Sequence, residues 1–193
     1  MAGTDSQHIH GTLLPMMQSV TWRTRCEETS DVAAIRTVNL AAFATHDEAD
    51  LVDALRRDPA WIEGLSWVAT AQSGDVIAHA LLTRCFIQGP AGAATAALCL
   101  APCAVAPEFQ RRGAGTAVIE SALNAARYRG ESIVVVLGHP EYYPRFGFQQ
   151  AAGFGISVTF DVPQEALMVQ ALTKNTAIPA GRICYPEPFG IPC

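Results

Sequence analysis

Gln110-Arg111-Arg112-Gly113-Ala114-Gly115-Thr116 joins an apolar run, Ala96 to Val105, to a segment with helical periodicity. Val118, Ile119, Ala122, Leu123 and Ala126 share one face of that helix, and Gly130 ends it. A helix start leaves several N–H groups unpaired, and its dipole favours an anion. Gly113 and Gly115 remove side chains there, and Arg111 and Arg112 add positive charge. The physical reading is a cradle for a pyrophosphate. Two other phosphate loops do not fit. The segment lacks G-x-x-x-x-G-K-[ST], and Val118 stands where a dinucleotide loop needs its third glycine. On its own, Gly-x-Gly serves equally well as a turn that starts a surface helix.

The flanks extend the reading. Ala96 to Val105 is apolar on both faces, which predicts a central strand. Pro102 interrupts it. Proline donates no ladder hydrogen bond, so a bulge or a parting of strands is expected, and a parted central strand makes a slot. Ile133 to Leu137 is a run of branched residues, a second buried strand. Strand, loop, helix and strand in that order imply a right-handed crossover and a parallel pair.

Upstream, Val20 to Arg25 reads as a first strand. Ser30-Asp31 then offers an N-cap for a helix through Val32, Ile35, Val38, Leu40 and Phe43. A second helix carries Leu51, Val52 and Leu55 on one face, and Asp58-Pro59 stops it. Leu65 to Ala71 and Val76 to Ile87 read as strands joined by the turn Gln72-Ser73-Gly74-Asp75. Met168 to Leu172 is a late strand, and the Pro- and Gly-rich tail from Ile178 to Cys193 is expected to wrap the surface without regular structure. Residues 1–19 read as a disordered leader, with a single domain over 20–193.

The chain has 193 residues, 50% hydrophobic and 16% charged, too apolar for a solvated coil. A domain of this size buries roughly 70% of its extended surface. The net charge of −5 and the lack of a long Lys/Arg run argue against nucleic acid as a partner. The most apolar stretch, Ala91 to Ala106, is too short to span a bilayer, so no membrane partner is expected. No signal peptide is visible, which makes the cytoplasm the expected compartment. The six cysteines form no C-x-x-C pair and have no accompanying His cluster, so no metal site is expected. A chain this large does not need disulfide staples, and most of the cysteines are expected as buried thiols.

At this point the residues carry a resemblance. Gln110 to Gly115 matches the Q/R-x-x-G-x-G/A signature of the GNAT acetyltransferase superfamily, with Leu98 to Pro107 similar to its fourth strand and Ile133 to Gly138 to its fifth. Tyr142-Tyr143-Pro144-Arg145-Phe146-Gly147-Phe148 resembles the Y-x-x-x-G-F segment that closes the family's acetyl-CoA site, in the form typical of a branch of predicted N-acetyltransferases known mostly from bacterial genomes. The resemblance implies an α/β (mixed α+β) fold. Its central sheet is mixed but mostly antiparallel, of about seven strands, splayed between strands 4 and 5 and flanked by helices.

It also implies the chemistry. Acetyl-CoA would lie in the splay, its pantetheine arm along the backbone of Cys103, Ala104 and Val105. The Val105 amide would hold the thioester oxygen. Amides from Gln110 through Arg111, Arg112, Gly113, Ala114 and Gly115 to Thr116 would hold the pyrophosphate. Tyr143 occupies the position whose hydroxyl faces the thioester sulfur, which makes it the candidate general acid; a purely packing role fits an aromatic there as well. His139 follows the fifth strand at the edge of the gap, where a structural hydrogen bond would serve equally well. No carboxylate lies on the fourth strand. Glu48, in His46-Asp47-Glu48 beside the expected acceptor pocket, is the candidate base or amine-attracting group, although its charge also suits a helix start. His79, within a strand, reads as structural. The implied activity is acetyl transfer to a primary amine, on a small molecule or a peptide, by direct attack in a ternary complex. A CoA-binding regulatory module is the alternative, and a homodimer is left open.

Overall fold

The structure is a computed structural model that describes residues 21–193. The leader expected over 1–19 lies outside the described residues, as does Val20.

The sheet is organised around its longest strand, β3 (Val76–Gln88), thirteen residues of almost continuous burial. On one edge it pairs antiparallel with β2 (Ser66–Ala71), which in turn pairs with β1 (Trp22–Cys26). The β2–β3 turn is the one expected: Gly74, at φ +93°, closes it, and its amide donates to the Ala71 carbonyl at 3.0 Å. On the other edge β3 pairs antiparallel with β4 (Ala94–Val105) over nearly its whole length. The chain then forms α3 (Ala114–Tyr128) and returns as β5 (Ile133–Leu137), parallel to β4 as the crossover requires. Arg84 of β3 pins the entry to β5 by pairing with Glu131 at 2.8 Å. β6 (Gln149–Gln150), β7 (Ile156–Ser157) and β8 (Leu167–Ala171) follow. The principal path runs β1-β2-β3-β4-β5-β8-β6, seven strands, mostly antiparallel.

The tail departs from its expected form. Gly181 to Cys184 is a ninth strand, β9, which pairs antiparallel with β3 at Phe86, Ile87 and Gln88 and parallel with β7. The physical reason lies in β3 itself. The six-residue β2 covers only Val76 to Leu81, so the far end of β3 would present an unpaired edge. β9 covers that edge and buries Ile183 completely. The cysteine expectation is also corrected: Cys184 and Cys193 form a disulfide that closes the tail. Cys85 and Cys99 are buried thiols, while Cys26 and Cys103 are half-buried.

Two layers flank the sheet. On one face α3 buries Val118, Ile119, Ala122, Leu123 and Ala126 against Leu82, Leu98, Leu100, Val134 and Val136. On the other, α1 (Val32–Ala42) and α2 (Asp47–Leu55) place Ile35, Val52 and Leu55 against Val68 and Leu81. Of the stripe expected on α1, Ile35 and Val38 are buried whereas Leu40 faces outward. Among the described residues, no helix is long and apolar enough to cross a membrane.

Candidate active site

The site begins where β4 and β5 part. They pair at Leu98–Val134 and Cys99–Val135 and no further. Beyond that point two β4 residues, Ala101 and Pro102, oppose the single β3 residue Leu81. This is the bulge that proline demanded, and the Ala101–Pro102 peptide is cis. It reverses the strand's facing. Leu98 and Leu100 point to the α3 side before it, and Cys103 and Val105 point there after it. The opened edge keeps polar backbone available. The Ala106 amide donates to Ile77 on the β3 side at 2.9 Å. Because successive strand amides point to opposite edges, the Val105 amide faces the opening.

The cradle follows at once. Arg111 sits at φ +57° and Gly113 at φ +98°, turning the chain sharply into α3, whose start carries no side-chain cap. Space adds to angle at Gly113 and acts alone at Gly115. A Cβ on Gly113 would lie 3.2 Å from the Trp22 ring, and one on Gly115 would lie 3.0 Å from Val105 and 3.2 Å from the Tyr142 hydroxyl. The Gln110 side chain donates to the Val105 carbonyl at 3.1 Å, tying the cradle to the opened strand. Arg111 and Arg112 are exposed and, among the described residues, join no ion pair. The Gln110 amide donates to the Pro107 carbonyl at 3.3 Å, while the uncapped start of α3 and these two cations suit a polyanion.

Beside the opening lies a cavity of about 360 Å³. Tyr143, Glu48, His139 and Cys103 all line it. Tyr143 is only 8% exposed, wedged edge-on against Tyr142 and Phe148 with ring centroids 5.3 and 5.8 Å away. Its ring lies so close to Gly138 that a Cβ there would collide with it, so the glycine after β5 is part of the site. The Cys103 sulfur lies beside the phenol. That neighbouring sulfur, together with burial, holds the phenol well above its usual pKa. Burial likewise pushes the Cys103 thiol up to about 12, so it remains a neutral thiol. Tyr142 turns the other way, its hydroxyl 3.5 Å from Thr116 Oγ1 at the start of α3.

Glu48 extends from the first turn of α2. One of its oxygens, Oε2, is buried without a hydrogen-bond partner. His139 is exposed at the cavity mouth. His46 is exposed and lies outside the lining. His79 is structural, as expected. It is fully buried, its Nδ1 accepts from Asn39 at 3.3 Å, and its Nε2 is 2.9 Å from Ser66 Oγ. Burial, aided by the positive charge of Arg56, lowers its pKa to about 3.

The cavity's remaining wall was not visible in the sequence reading. Phe43, Leu51, Phe160, Tyr185, Phe189 and Ile191 supply it. The one available signal was Tyr185-Pro186-Glu187-Pro188-Phe189, aromatics set between prolines that stiffen the chain. Among the described residues, no group of three or more His, Cys, Asp or Glu could hold a metal ion.

Known proteins share this arrangement. Residues 63–150 match the family described as the acetyltransferase (GNAT) domain. The uncharacterised N-acetyltransferase YjhQ of Escherichia coli (strain K12) is 36% identical over 163 residues, covering 82% of this chain and 89% of that protein. The chain belongs to the GNAT family of N-acetyltransferases. Its fold agrees closely with the GNAT N-acetyltransferase YhbS of Escherichia coli, solved in complex with CoA, at a TM-score of 0.80 and 27% identity over 90% of this chain and 94% of that one. A GNAT acetyltransferase from Brucella melitensis, solved with acetyl-CoA, superposes at 0.71 with 29% identity, covering 88% of this chain and 98% of its own. The mixed, largely antiparallel sheet flanked by helices is thus a fold shared with these solved structures.

Proposed function

We propose that this protein transfers an acetyl group from acetyl-CoA to a primary amine by direct attack in a ternary complex. The observation that carries the reading is the meeting of Glu48 and Tyr143 on the walls of one cavity, beside the open edge of β4 and the cradle.

The residues fit the acyl donor. Glycines at 113 and 115 keep the cradle clear, and the β4 edge from Cys103 to Val105 has no strand partner beside β5. Amides from Arg111 to Thr116, with Arg111 and Arg112, hold the pyrophosphate; the Gln110 amide, expected among them, is instead taken by the Pro107 carbonyl at 3.3 Å. Cys103, Ala104 and Val105 lie along the pantetheine arm, with His139 at the mouth. Bound acetyl-CoA supplies a thioester carbonyl open to a neutral amine.

This chain's own groups then manage the charge and the protons. Glu48 takes a proton from the ammonium and frees the nitrogen lone pair. The Val105 amide faces the carbonyl oxygen and offsets its growing charge. As the new C–N bond forms and the C–S bond breaks, Tyr143 gives its proton to the departing sulfur, and the proton shed by the new amide nitrogen returns through solvent to reprotonate Tyr143. Its raised pKa keeps the phenol protonated across the working pH range.

Calorimetric titration of acetyl-CoA, followed by measurement of CoA thiol release with primary amines, tests the proposal. Saturable binding and amine-dependent release are expected. Binding without release for any amine would favour a regulatory CoA-binding module, and absence of binding would overturn the reading altogether.

A further inference from the structure

The walls of the cavity define its second substrate more narrowly. We infer that the acceptor is a small apolar primary amine with one positive charge, an alkylamine or arylalkylamine, whose ammonium docks on Glu48. The inference rests on the acetyltransferase reading above and specifies its acceptor.

Three observations converge. First, Glu48 lines a cavity otherwise dominated by carbon, and one of its carboxylate oxygens, Oε2, is buried with no hydrogen-bond partner. A buried carboxylate oxygen without a donor is costly, and a ligand ammonium removes that cost. Second, Phe160, Tyr185 and Phe189 form a continuous aromatic wall, with ring centroids 6.5 Å apart for the first pair and 5.1 Å for the second. Phe43, Leu51 and Ile191 extend it. Phe189 is itself held between two hydrophobic clusters, so the wall is a packed surface rather than a loose flap. Third, among the described residues the lining contains no Lys or Arg and no carboxylate besides Glu48; His139, at the exposed mouth, is the only other described residue there able to become cationic.

Each absence from that lining excludes a class. With no Lys or Arg, an amino acid would leave its α-carboxylate unpaired beside Glu48, a repulsive pair in a poorly solvated space. With a single carboxylate, a polyamine would bury its further cations without partners. A volume of about 360 Å³, shared with the acetyl end of the donor, admits a compact ligand. A peptide amino terminus would bring amide groups that this apolar wall cannot satisfy.

The test is a panel of acceptors assayed by CoA release, with acetyl-CoA binding followed separately by calorimetry. The probes are 2-phenylethylamine, hexylamine, phenylalanine, spermidine and a short peptide with an apolar first residue. The two monoamines are expected to exceed the others in kcat/KM by roughly a hundredfold, the scale at which a site rejects an unpaired polar group. Glu48→Gln should lower kcat/KM for 2-phenylethylamine without altering acetyl-CoA affinity. Phe160→Ala should raise its KM roughly tenfold, also without altering that affinity. Equal or better turnover of phenylalanine, spermidine or the peptide would overturn the acceptor class and leave the acetyltransferase reading intact. Acetyl-CoA binding with neither monoamine acetylated would overturn the acceptor class as well. If acetyl-CoA does not bind at all, the underlying reading falls and this inference falls with it.

Discussion

The proposed donor side and the proposed acceptor side of the cavity are built by opposite means. The donor side is backbone: an opened strand edge, a left-handed glycine and the bare start of α3, all drawn from the contiguous stretch Leu98 to Thr116. The acceptor side is side chains: Glu48 from α2, Phe160 from a loop, and Tyr185, Phe189 and Ile191 from the tail. Backbone recognises what every CoA thioester has in common. Scattered side chains recognise one shape and charge. The difference predicts that damage to one side should leave the other measurable on its own.

The reacting centre joins the two sides, so the largest effect is expected there. Tyr143→Phe removes the hydroxyl and keeps the ring that packs on Tyr142 and Phe148. Loss of a general acid should lower kcat by about 10²- to 10⁴-fold while acetyl-CoA affinity stays within about twofold of wild type. The same residue sets an expectation for pH. Because its pKa lies above the ordinary value of about 10, the acid form persists beyond that pH. The kcat profile should therefore show no alkaline fall from this group up to about pH 10. Unchanged turnover in the variant would remove Tyr143 from proton transfer.

Next in size is a lesion confined to the donor side. Gly113→Glu puts a side chain at φ +98°, 3.2 Å from Trp22, and an anion where the pyrophosphate should sit. Acetyl-CoA affinity should fall by roughly a hundredfold or more, the equivalent of about 3 kcal/mol. Gly113→Ala carries the strain without the charge and should bind better than the glutamate variant; circular dichroism on both checks that the fold survives. If the two variants bind equally poorly, backbone strain rather than repulsion is responsible.

The same contrast explains what the sequence disclosed. A backbone site leaves a local signature, because glycines and a proline must occupy fixed places along one segment. Pro102, Gly113 and Gly115 announced the splay and the cradle, and the Tyr-Tyr-Pro-Arg-Phe-Gly-Phe run located Tyr143. Glu48 was a candidate because the resemblance puts the His46-Asp47-Glu48 segment beside the acceptor pocket. Its buried, unpartnered oxygen became visible only in three dimensions, since desolvation belongs to the fold and not to any spacing. The aromatic wall was hidden for a related reason. Tyr185 and Phe189 lie in a tail whose prolines suggested irregular wrapping. What brings them to the cavity is β9, and β9 forms because β3 outruns β2, a fact about two strand lengths rather than about the tail.

His79 supplies a control outside both sides. In the unfolded chain it titrates near 6.5, while in the folded protein it resists protonation until about 3. Between those values the unfolded state binds the extra proton, so stability falls as pH drops, by up to about 1.4 kcal/mol per unit. His79→Gln should flatten that slope in chemical denaturation at pH 4 to 6.5 and leave the KM for both substrates unchanged. A slope as steep as wild type would assign the acid sensitivity to other groups.

The smallest expected effect tests how far the acceptor wall depends on its anchor. The disulfide joins Cys184 to Cys193, nine positions apart in sequence, and the loop it closes carries Tyr185, Phe189 and Ile191. β9 holds one end of it independently, through its pairing with β3, and Phe189 packs into two clusters. Removing the covalent link should therefore loosen the wall without dismantling it. In Cys193→Ser the side chains must be ordered again each time an amine binds, at about 1 kcal/mol, which corresponds to roughly a fivefold rise in amine KM. Acetyl-CoA affinity should not move, because no donor-side residue lies in the loop. Reducing the wild-type protein should give the same rise. A shift in acetyl-CoA affinity of equal size would mean that the two sides are mechanically coupled through the tail, and the division between backbone and side-chain recognition would then be one of construction only.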